Sequence, residues 1–141
     1  MALTVWAEAR GELRMGQRAV AWVIRNRYEN PGWWSRNRDG IQDDTIAAVC
    51  RDPWQFSCWN KSDPQSKILH DHDTLKRNDV KAIRALCESV LERGLADDVS
   101  KGADHYCTVK VIPKTKWAKG KTPVIVIGNH AFFKIGLDGK G

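Results

Sequence analysis

Two glutamates near the start of the chain, Glu8 and Glu12, could do acid–base chemistry. They stand four residues apart in the stretch VWAEARGE at 5–12, beside an apolar segment. Side chains at positions i and i+4 share one face of a helix, so each carboxylate would raise the free energy of ionising the other. A carboxyl group that keeps its proton near neutral pH can serve as a general acid. Spacing alone fits equally with two solvated glutamates on an ordinary amphipathic helix.

A second candidate for a ligand site is the stretch PWQFSCWN at 53–60. It mixes three aromatic residues with Gln, Ser and Asn, as expected where apolar walls and directional hydrogen bonds meet at a ligand. The same composition fits a buried aromatic loop whose polar groups are satisfied internally. The residues themselves leave both interpretations open.

The stretch HDHD, which contains His70 and His72, places four potential metal ligands in a row. His-x-His can bind zinc from a strand or a turn, and His105 and His130 complete the candidates for a zinc-dependent amidase. Neighbouring residues in a helix cannot converge on one ion, and no third ligand stands at a suitable spacing. We therefore interpret residues 62–77 as a solvated polar linker and expect no metal or other cofactor.

Length and composition place the chain among globular proteins. Its 141 residues are 42% apolar and 28% charged, which fits one domain over 1–141 with a core of its own. The apolar runs are too short to span a membrane, and the first residues lack a basic region followed by an apolar one. We therefore predict neither stable membrane insertion nor a signal peptide.

The charge is unbalanced, with 23 Lys and Arg against 17 Asp and Glu, a net charge of +6. This balance favours a polyanionic partner such as nucleic acid, an anionic membrane surface or an acidic cell-envelope polymer. Seven tryptophans offer flat faces that stack on sugars or bases as well as packing in a core. A non-enzymatic nucleic-acid binder is therefore one alternative, which salt-dependent DNA binding without enzymatic activity would favour.

The four cysteines, Cys50, Cys58, Cys87 and Cys107, show no C-x-x-C spacing of a zinc or redox motif. Free buried thiols are expected in a chain without an export signal. A disulfide such as Cys50 to Cys58 remains an alternative for an oxidising compartment.

The first half of the chain is predicted to be helical. A short helix with Leu3, Val5 and Trp6 ends near Gly11. A second, from about residue 16 to residue 28, has an apolar stripe, and we place its arginines on the solvent side. These arginines are Arg18, Arg25 and Arg27.

Further along, residues 33–43 form a predicted loop, and Asp43 or Asp44 is predicted to cap a helix over 45–50. Asn78 is predicted to cap the clearest helix, whose apolar residues repeat at helical spacing up to a C-terminal cap at Gly94.

The last third of the chain changes to β character. Residues 105–109, 123–127 and 130–133 are rich in β-branched and aromatic residues and are predicted to be strands. Gly128 and Asn129 form a two-residue hairpin turn between the last two. Residues 110–121 are a basic connection that carries Trp117. The predicted fold class is α+β, mainly helical, with a small antiparallel hairpin or sheet near the C-terminus.

Five motifs in a fixed order resemble one family over nearly the whole chain. They are WAEARGE at 6–12, GQRAVAWVIRNR at 16–27, TIAAVC followed by PWQFSCWN, ADHY at 103–106 and IGNHAFF at 127–133. Together they resemble the SleB-type cell-wall hydrolase domain of spore cortex-lytic enzymes. The resemblance implies a fold similar to lytic transglycosylases and goose-type lysozymes, and cleavage of the glycan strands of peptidoglycan.

In this family the first Glu of the pattern G-E-A-R-G-E is the catalytic acid, which corresponds here to Glu8. Ala7 replaces the usual Gly, a change between small residues that leaves the assignment standing. The family often has His-Tyr-His where this chain has His105, Tyr106 and Cys107, so a role for the second histidine is in doubt. Cleavage of the β-1,4 bond between N-acetylmuramic acid and N-acetylglucosamine needs an acid to protonate the leaving oxygen.

A hydrolase normally adds a second carboxylate, whereas a lytic transglycosylase needs one glutamate. In the latter the same glutamate then acts as a base on the sugar's own hydroxyl and closes a 1,6-anhydro ring. We favour one catalytic glutamate, with Glu12 either structural or tuning Glu8. A hydrolytic muramidase or glucosaminidase with the same acid is the alternative.

The resemblance also implies a substrate groove. Gln55 and Ser57 would bind N-acetyl or hydroxyl groups, and Phe56 and Tyr106 would contact sugar faces. Weaker candidates for substrate binding are Trp59, Trp117, Glu12 and His130.

A basic catalytic domain of this size without an export signal resembles a bacteriophage endolysin. Such an enzyme would collect in the host cytoplasm and reach peptidoglycan in the periplasm or cell wall after another protein opens the membrane. We expect a monomer whose partner is the glycan strand of peptidoglycan and not nucleic acid.

Overall fold

The computed structural model describes residues 1–31, 44–52 and 55–136. The loop predicted over 33–43, with Asp43, and the aromatic Trp54 lie outside the described residues. Five α-helices precede three strands: α1 (Ala2–Ala9), α2 (Arg14–Glu29), α3 (Ile46–Arg51), α4 (Pro64–Leu69), α5 (Asn78–Glu92), β1 (His105–Thr108), β2 (Ile125–Ile127) and β3 (His130–Phe133). Short 3-10 helices cover Ser57–Trp59, His72–Lys76, Leu95–Asp97 and Val109–Lys114.

Helix α2 lies at the centre of the core and packs against α1, α3 and α5. Its apolar residues are fully buried from Ala19 to Ile24, which stabilises the fold by about 1.5–3 kcal/mol for each large aliphatic side chain. The predicted helix is confirmed and is two residues longer at its start. The placement of Arg27 on the solvent side is wrong, because Arg27 is 4% exposed. It follows Val20 by seven residues and therefore lies on the same buried stripe.

Helix α1 is fixed by Trp6, whose indole N–H donates to Asp79 Oδ2 at 2.8 Å near the start of α5. The guanidinium groups of Arg10 and Arg77 lie 4.4 and 5.2 Å from the centre of the Trp6 ring. Successive helical residues turn by about 100°, so residue 8 points away from the face that holds residue 6. Packing Trp6 on α5 therefore aims Glu8 at the opposite side of α1.

Two local predictions between α2 and α5 differ from the structure. Thr45, and not Asp44, caps α3, because its hydroxyl accepts from the Ala48 N–H at 3.0 Å. The predicted polar linker over 62–77 contains α4 and a 3-10 helix, which begin after the capping side chains of Asp63 and Asp71.

Helix α5 has the predicted periodicity but different ends. It begins at Asn78 with no capping hydrogen bond from a side chain, and its C-cap is Arg93 and not Gly94.

The strands form one antiparallel sheet in the order β1-β3-β2. Tyr106 pairs with Phe132, and Ile127 pairs with His130 across the predicted hairpin turn, where Gly128 has a φ of +58°. The mainly helical α+β fold with a small antiparallel sheet near the C-terminus is therefore confirmed. Over the described residues, the helices are all too short or too polar to cross a membrane.

The two faces of the sheet have different neighbours, because side chains alternate along a strand. Tyr106 and Phe132 face the helical core, together with Ile125 and Ile127 of the edge strand. Phe133, on the other face, packs in a small second cluster that the segment 109–121 covers. The second cluster consists of Ala118, Ala131, Phe133, Cys107, Ile112, Trp117 and Ile135.

Candidate functional site

The site begins at Glu8, in the last turn of α1, where the helix meets strand β1. The Tyr106 hydroxyl donates a hydrogen bond of 2.7 Å to Glu8 Oε2. Burial, followed by the negative charge and the hydrogen bond of Glu8, raises the pKa of Tyr106 well above its usual value. Tyr106 therefore stays protonated at neutral pH and is a permanent donor to this carboxylate.

A second neighbour of Glu8 comes from the 3-10 helix Ser57–Trp59. Burial, followed by the charge of Glu8 and a hydrogen bond to it, raises the pKa of the Cys58 thiol. Thr4 lies one turn before Glu8 on the same face of α1 and accepts from the Trp59 indole N–H at 3.1 Å. These contacts hold one face of α1 against the 3-10 helix and fix the position of the carboxylate.

A buried cation lies behind this group. Arg27 donates from Nε to the Asp104 carbonyl oxygen at 2.6 Å, and its guanidinium stands 5.0 Å from the centre of the Phe56 ring. Burial lowers the pKa of Arg27, while the negative charges of Asp104, Asp52 and Glu8 oppose that change. Because an arginine remains charged in proteins, this cation compensates carboxylates that the fold takes out of water.

Glu12 is not the partner of Glu8 that its spacing predicts. Helix α1 ends at Ala9 and α2 begins at Arg14, so the two glutamates do not share a helix face. The Glu12 carboxylate instead accepts from the backbone N–H of Asn129 at 3.3 Å and from its side-chain amide at 3.2 Å. A side chain at Gly128 would collide with Glu12 Oε2. The hairpin turn therefore holds the Glu12 carboxylate in place, and we call this contact the Glu12 seat.

His130 connects the two glutamate positions. Its Nδ1 lies 3.7 Å from Glu12 Oε1, and only about a tenth of each of these two side chains is exposed. Its ring meets the Tyr106 ring edge-on, with centroids 5.3 Å apart. Four candidate residues, Glu8, Tyr106, His130 and Glu12, thus form one continuous group.

The other predicted groove residues lie on the segment 55–59 in different environments. Gln55 is half-buried, and Ser57 is exposed with its hydroxyl 3.4 Å from Asp63 Oδ2. Phe56 is 1% exposed and packs under Arg27. The expected contact of Phe56 with a sugar face is therefore wrong in this structure, because the ring presents no surface to a ligand.

The two tryptophan candidates lie in different environments. Trp117 packs against Phe133 and His105, with ring centroids 5.4 and 5.0 Å apart, on the sheet face opposite Tyr106. Trp59 lines a cavity of about 510 Å³ with residues of α1, α3 and α5, and neither Glu8 nor Tyr106 reaches that cavity.

The histidines do not converge. His70 and His72 are exposed around the end of α4, whereas His105 and His130 lie on opposite faces of the sheet. No group of three or more His, Cys, Asp or Glu side chains suited to a metal ion occurs in the described part of the chain. The four cysteines are free, and Cys107 alone among them is half-buried rather than buried.

The sequence profile of the Cell Wall Hydrolase family matches residues 11–133. The chain belongs to the cell wall hydrolase family. This membership supports a peptidoglycan-degrading activity, and the matched span contains Glu12, Tyr106 and His130. Glu8 lies three residues before it, so the assignment of Glu8 rests on geometry and on the resemblance of its motif.

This cell wall hydrolase is similar in fold to the crystal structure of the catalytic domain of the Bacillus cereus SleB protein. The TM-score is 0.64 at 24% sequence identity, over 95% of this chain and 86% of that chain. No curated protein sequence matches the chain significantly.

Sequence reasoning missed three members of the site of this cell wall hydrolase. Arg27 continues the buried stripe of α2, and that spacing could have identified it. Cys58 belongs to the aromatic stretch at 53–60, but only the fold places it beside Glu8. Asp104, whose carboxylate accepts from the N–H groups of Ile135 at 2.8 Å and of Gly136, stands in the motif ADHY just before strand β1, but the motif alone assigned it no role.

Proposed function

We propose that residues 1–141 act as one catalytic domain that cleaves the glycan strands of peptidoglycan, with Glu8 as the acid. The observation that carries the proposal is the Glu8 carboxylate at the contact of α1 with β1, bonded to Tyr106 and close to the charge of Arg27. The family and the fold supply the substrate class. Glu8 is half-buried in the structure.

The reaction begins with proton transfer from Glu8 to the oxygen of the β-1,4 bond, while the sugar ring gains oxocarbenium character. The carboxylate that results keeps the hydrogen bond from Tyr106, and Arg27 offsets its charge. Glu8 can then take a proton from the hydroxyl at C6 of the muramic acid, which closes the 1,6-anhydro ring. Tyr106 orients the carboxylate in both steps and gives up no proton.

The position of Glu12 favours this lytic transglycosylase over a hydrolase. A hydrolase needs a second carboxylate that activates water or attacks the sugar. Glu12 is occupied by Asn129 and by His130, and about a tenth of its side chain is exposed. Glu12 is therefore a structural residue held in the Glu12 seat, and not a second catalytic group.

One observation favours the hydrolytic alternative. The Ser57 hydroxyl donates to Asp63 Oδ2 at 3.4 Å, so this carboxylate lies beside the 3-10 helix that carries Cys58. Asp63 also caps α4 through Oδ1, a role that asparagine fills almost as well. Replacement Asp63→Asn therefore separates the two mechanisms: little loss of activity supports the transglycosylase, and near-complete loss supports a hydrolase.

The deciding experiment digests purified peptidoglycan and identifies the fragments by mass spectrometry. Anhydromuramic ends support the transglycosylase, reducing sugar ends support a muramidase or glucosaminidase, and free peptides without glycan cleavage would overturn both. Replacement Glu8→Gln should reduce the rate by about 100- to 10,000-fold without a change in fold. Glu92→Gln, at an exposed position of α5, is the matched control.

The biological setting, a bacteriophage endolysin that waits in the host cytoplasm, stays a prediction. Expression in a bacterial host tests it. Lysis that depends on a separate agent that opens the membrane supports it, and lysis without that agent contradicts it.

A further inference from the structure

The net charge of the chain is confined to the sheet region. Residues 105–136 contain six lysines, no arginine and no acidic residue. Because the chain has 23 basic and 17 acidic residues, the remaining sequence holds 17 of each and is neutral. The net charge of +6 therefore belongs to about a quarter of the molecule. A general excess of basic residues would have been spread over all the helices.

Five of these lysines lie on one segment, 110–121, which covers the outer face of the sheet. Ile112, Trp117 and Ala118 point inward and pack in the second apolar cluster. The lysines between them are all exposed, and none forms an ion pair with another described residue. These five, the basic segment lysines, are Lys110, Lys114, Lys116, Lys119 and Lys121.

The backbone of the segment is held in place, so the charges form a surface with a defined shape. Val109 donates its N–H to the Asn129 carbonyl oxygen at 2.9 Å, and Thr115 donates to Val111 at 2.9 Å. Ala118 donates to Thr115, also at 2.9 Å. Like charges held close together repel one another at low ionic strength, and a bound polyanion would relieve that repulsion.

We propose that the basic segment lysines form a docking surface for a phosphodiester-linked anionic polymer of the cell wall, separate from the glycan-cleaving site. This surface lies on the sheet face opposite Tyr106, so an occupied surface leaves Glu8 free to act. The inference extends the proposed function, because it takes the wall as the place of action. Binding can nevertheless be measured without any cleavage.

The composition of the surface favours a wall polymer over nucleic acid. Lysine is a flexible point charge, whereas readout of bases commonly uses the bidentate guanidinium of arginine, which this region lacks. Base stacking needs a free aromatic face, but Trp117 is packed between Phe133 and His105. The exposed apolar residues nearby, such as Val111 and Val126, are short and do not form the apolar face of an amphipathic helix that membrane binding uses.

The test compares three proteins by co-sedimentation with purified cell walls from a bacterium rich in wall phosphodiester polymers. One is the unaltered chain, and one has glutamine at all five basic segment lysines. The control has the same number of charges removed from exposed sites elsewhere, by the substitutions Arg14→Gln, Lys61→Gln, Lys67→Gln, Lys81→Gln and Lys101→Gln.

The unaltered chain and the control should bind, with affinity falling roughly 100-fold between 50 and 200 mM salt, as for about five charge contacts to a single-stranded polyanion. The segment variant should bind at least tenfold more weakly at 50 mM salt and depend little on salt. Walls stripped of phosphodiester polymers by acid should bind all three proteins equally weakly. Equal binding of the segment variant and the control to unstripped walls would overturn the proposal. Undiminished binding of the unaltered chain to stripped walls would also overturn it.

Two further measurements identify the class of polyanion that binds. Polyglycerol phosphate should compete with the walls, and tighter binding to duplex DNA or to vesicles of anionic phospholipid would overturn the assignment to a wall polymer. Cleavage of polymer-free peptidoglycan is measured in parallel and should be unchanged in the segment variant. Loss of cleavage in all three proteins would count against the proposed function alone, because binding is scored independently.

Discussion

At the scale of single residues, the environment separates two glutamates of identical chemistry. Glu8 accepts a hydrogen bond from the Tyr106 hydroxyl, 98 residues away in sequence, and is half-buried. Glu12 receives the donors of Asn129 from 117 residues away and is almost buried. Each carboxylate therefore takes its surroundings from the residues of the sheet region that contact it, and we propose that Tyr106 positions Glu8, the proposed acid.

Removal of the Tyr106 hydroxyl tests that role. Replacement Tyr106→Phe keeps the ring, and with it the contacts to Phe132 and His130, but removes the donor to Glu8. A hydrogen bond to a charged group contributes about 1.5–3 kcal/mol, so kcat on peptidoglycan should fall roughly 10- to 100-fold. KM should change little, whereas the melting temperature should fall, because the same hydrogen bond also stabilises the fold.

The chain offers a matched control for this substitution, because Tyr28 is its other tyrosine and is exposed on α2. Replacement Tyr28→Phe should leave kcat unaltered. A rise in KM for Tyr106→Phe at constant kcat would instead indicate that the hydroxyl binds the sugar.

At the scale of elements, sequence patterns predicted what is local. The period of α2 and the turn residues between β2 and β3 depend on neighbours in sequence, and both predictions hold. The prediction of a polar linker over 62–77 was wrong. Asp63 followed by Pro64 is a signal for the start of a helix, but the polar composition of the segment was given more weight than this signal. The seat of Glu12 on the hairpin joins residues more than a hundred positions apart, which no local pattern encodes.

The Glu12 seat predicts a specific coupling between the helical part and the hairpin. Replacement Gly128→Ala puts a side chain at a positive φ, at about 1–2 kcal/mol, and also displaces the Glu12 carboxylate. Its total effect on the free energy of unfolding, measured in urea, should exceed that backbone cost.

The double mutant tests the coupling directly. With Glu12→Ala present, Gly128→Ala should cost only the backbone term, which gives a coupling energy of about 0.5–3 kcal/mol. Additive effects of the two substitutions would show that Gly128 does not serve Glu12.

The stability that the contact of α1 with α5 contributes should decrease at low pH. Hydrogen bonds and charge from Arg77, and then the Trp6 N–H, lower the pKa of Asp79 below that of an unfolded aspartate. A lowered carboxyl pKa stabilises the fold above about pH 4, and this contribution is lost as the pH falls further. Because Asp79 is about half exposed, solvent screening limits it to about 1 kcal/mol or less.

Thermal unfolding of Asp79→Asn from pH 6 to pH 2.5 checks this dependence. The variant should melt below the unaltered chain at pH 6 by about 2–4 °C or less, and this difference should shrink progressively as the pH falls below about 4. A difference that stays constant with pH would assign the loss to packing or to the Trp6 hydrogen bond alone.

At the scale of the whole molecule, the sheet divides two surfaces with different properties. One face carries Tyr106 and His130 toward the helices and the acid. The other carries Phe133 and the apolar cluster beneath the basic segment lysines, where the net charge of the chain is concentrated. The proposed cleavage site and the proposed docking surface thereby lie on opposite faces of one sheet, and we expect that either can be altered without the other.

This charge segregation predicts how stability depends on salt. The screening length falls from about 30 Å at 0.01 M salt to about 8 Å at 0.15 M, which weakens the repulsion among the basic segment lysines. The melting temperature of the unaltered chain should therefore rise by about 2–4 °C over this range, the equivalent of about 1 kcal/mol. The segment variant with five glutamines should melt higher at low salt and respond less, whereas the control with five charges removed elsewhere should keep the response, because its sheet region is unchanged. An identical response in all three proteins would place the salt-sensitive charges elsewhere.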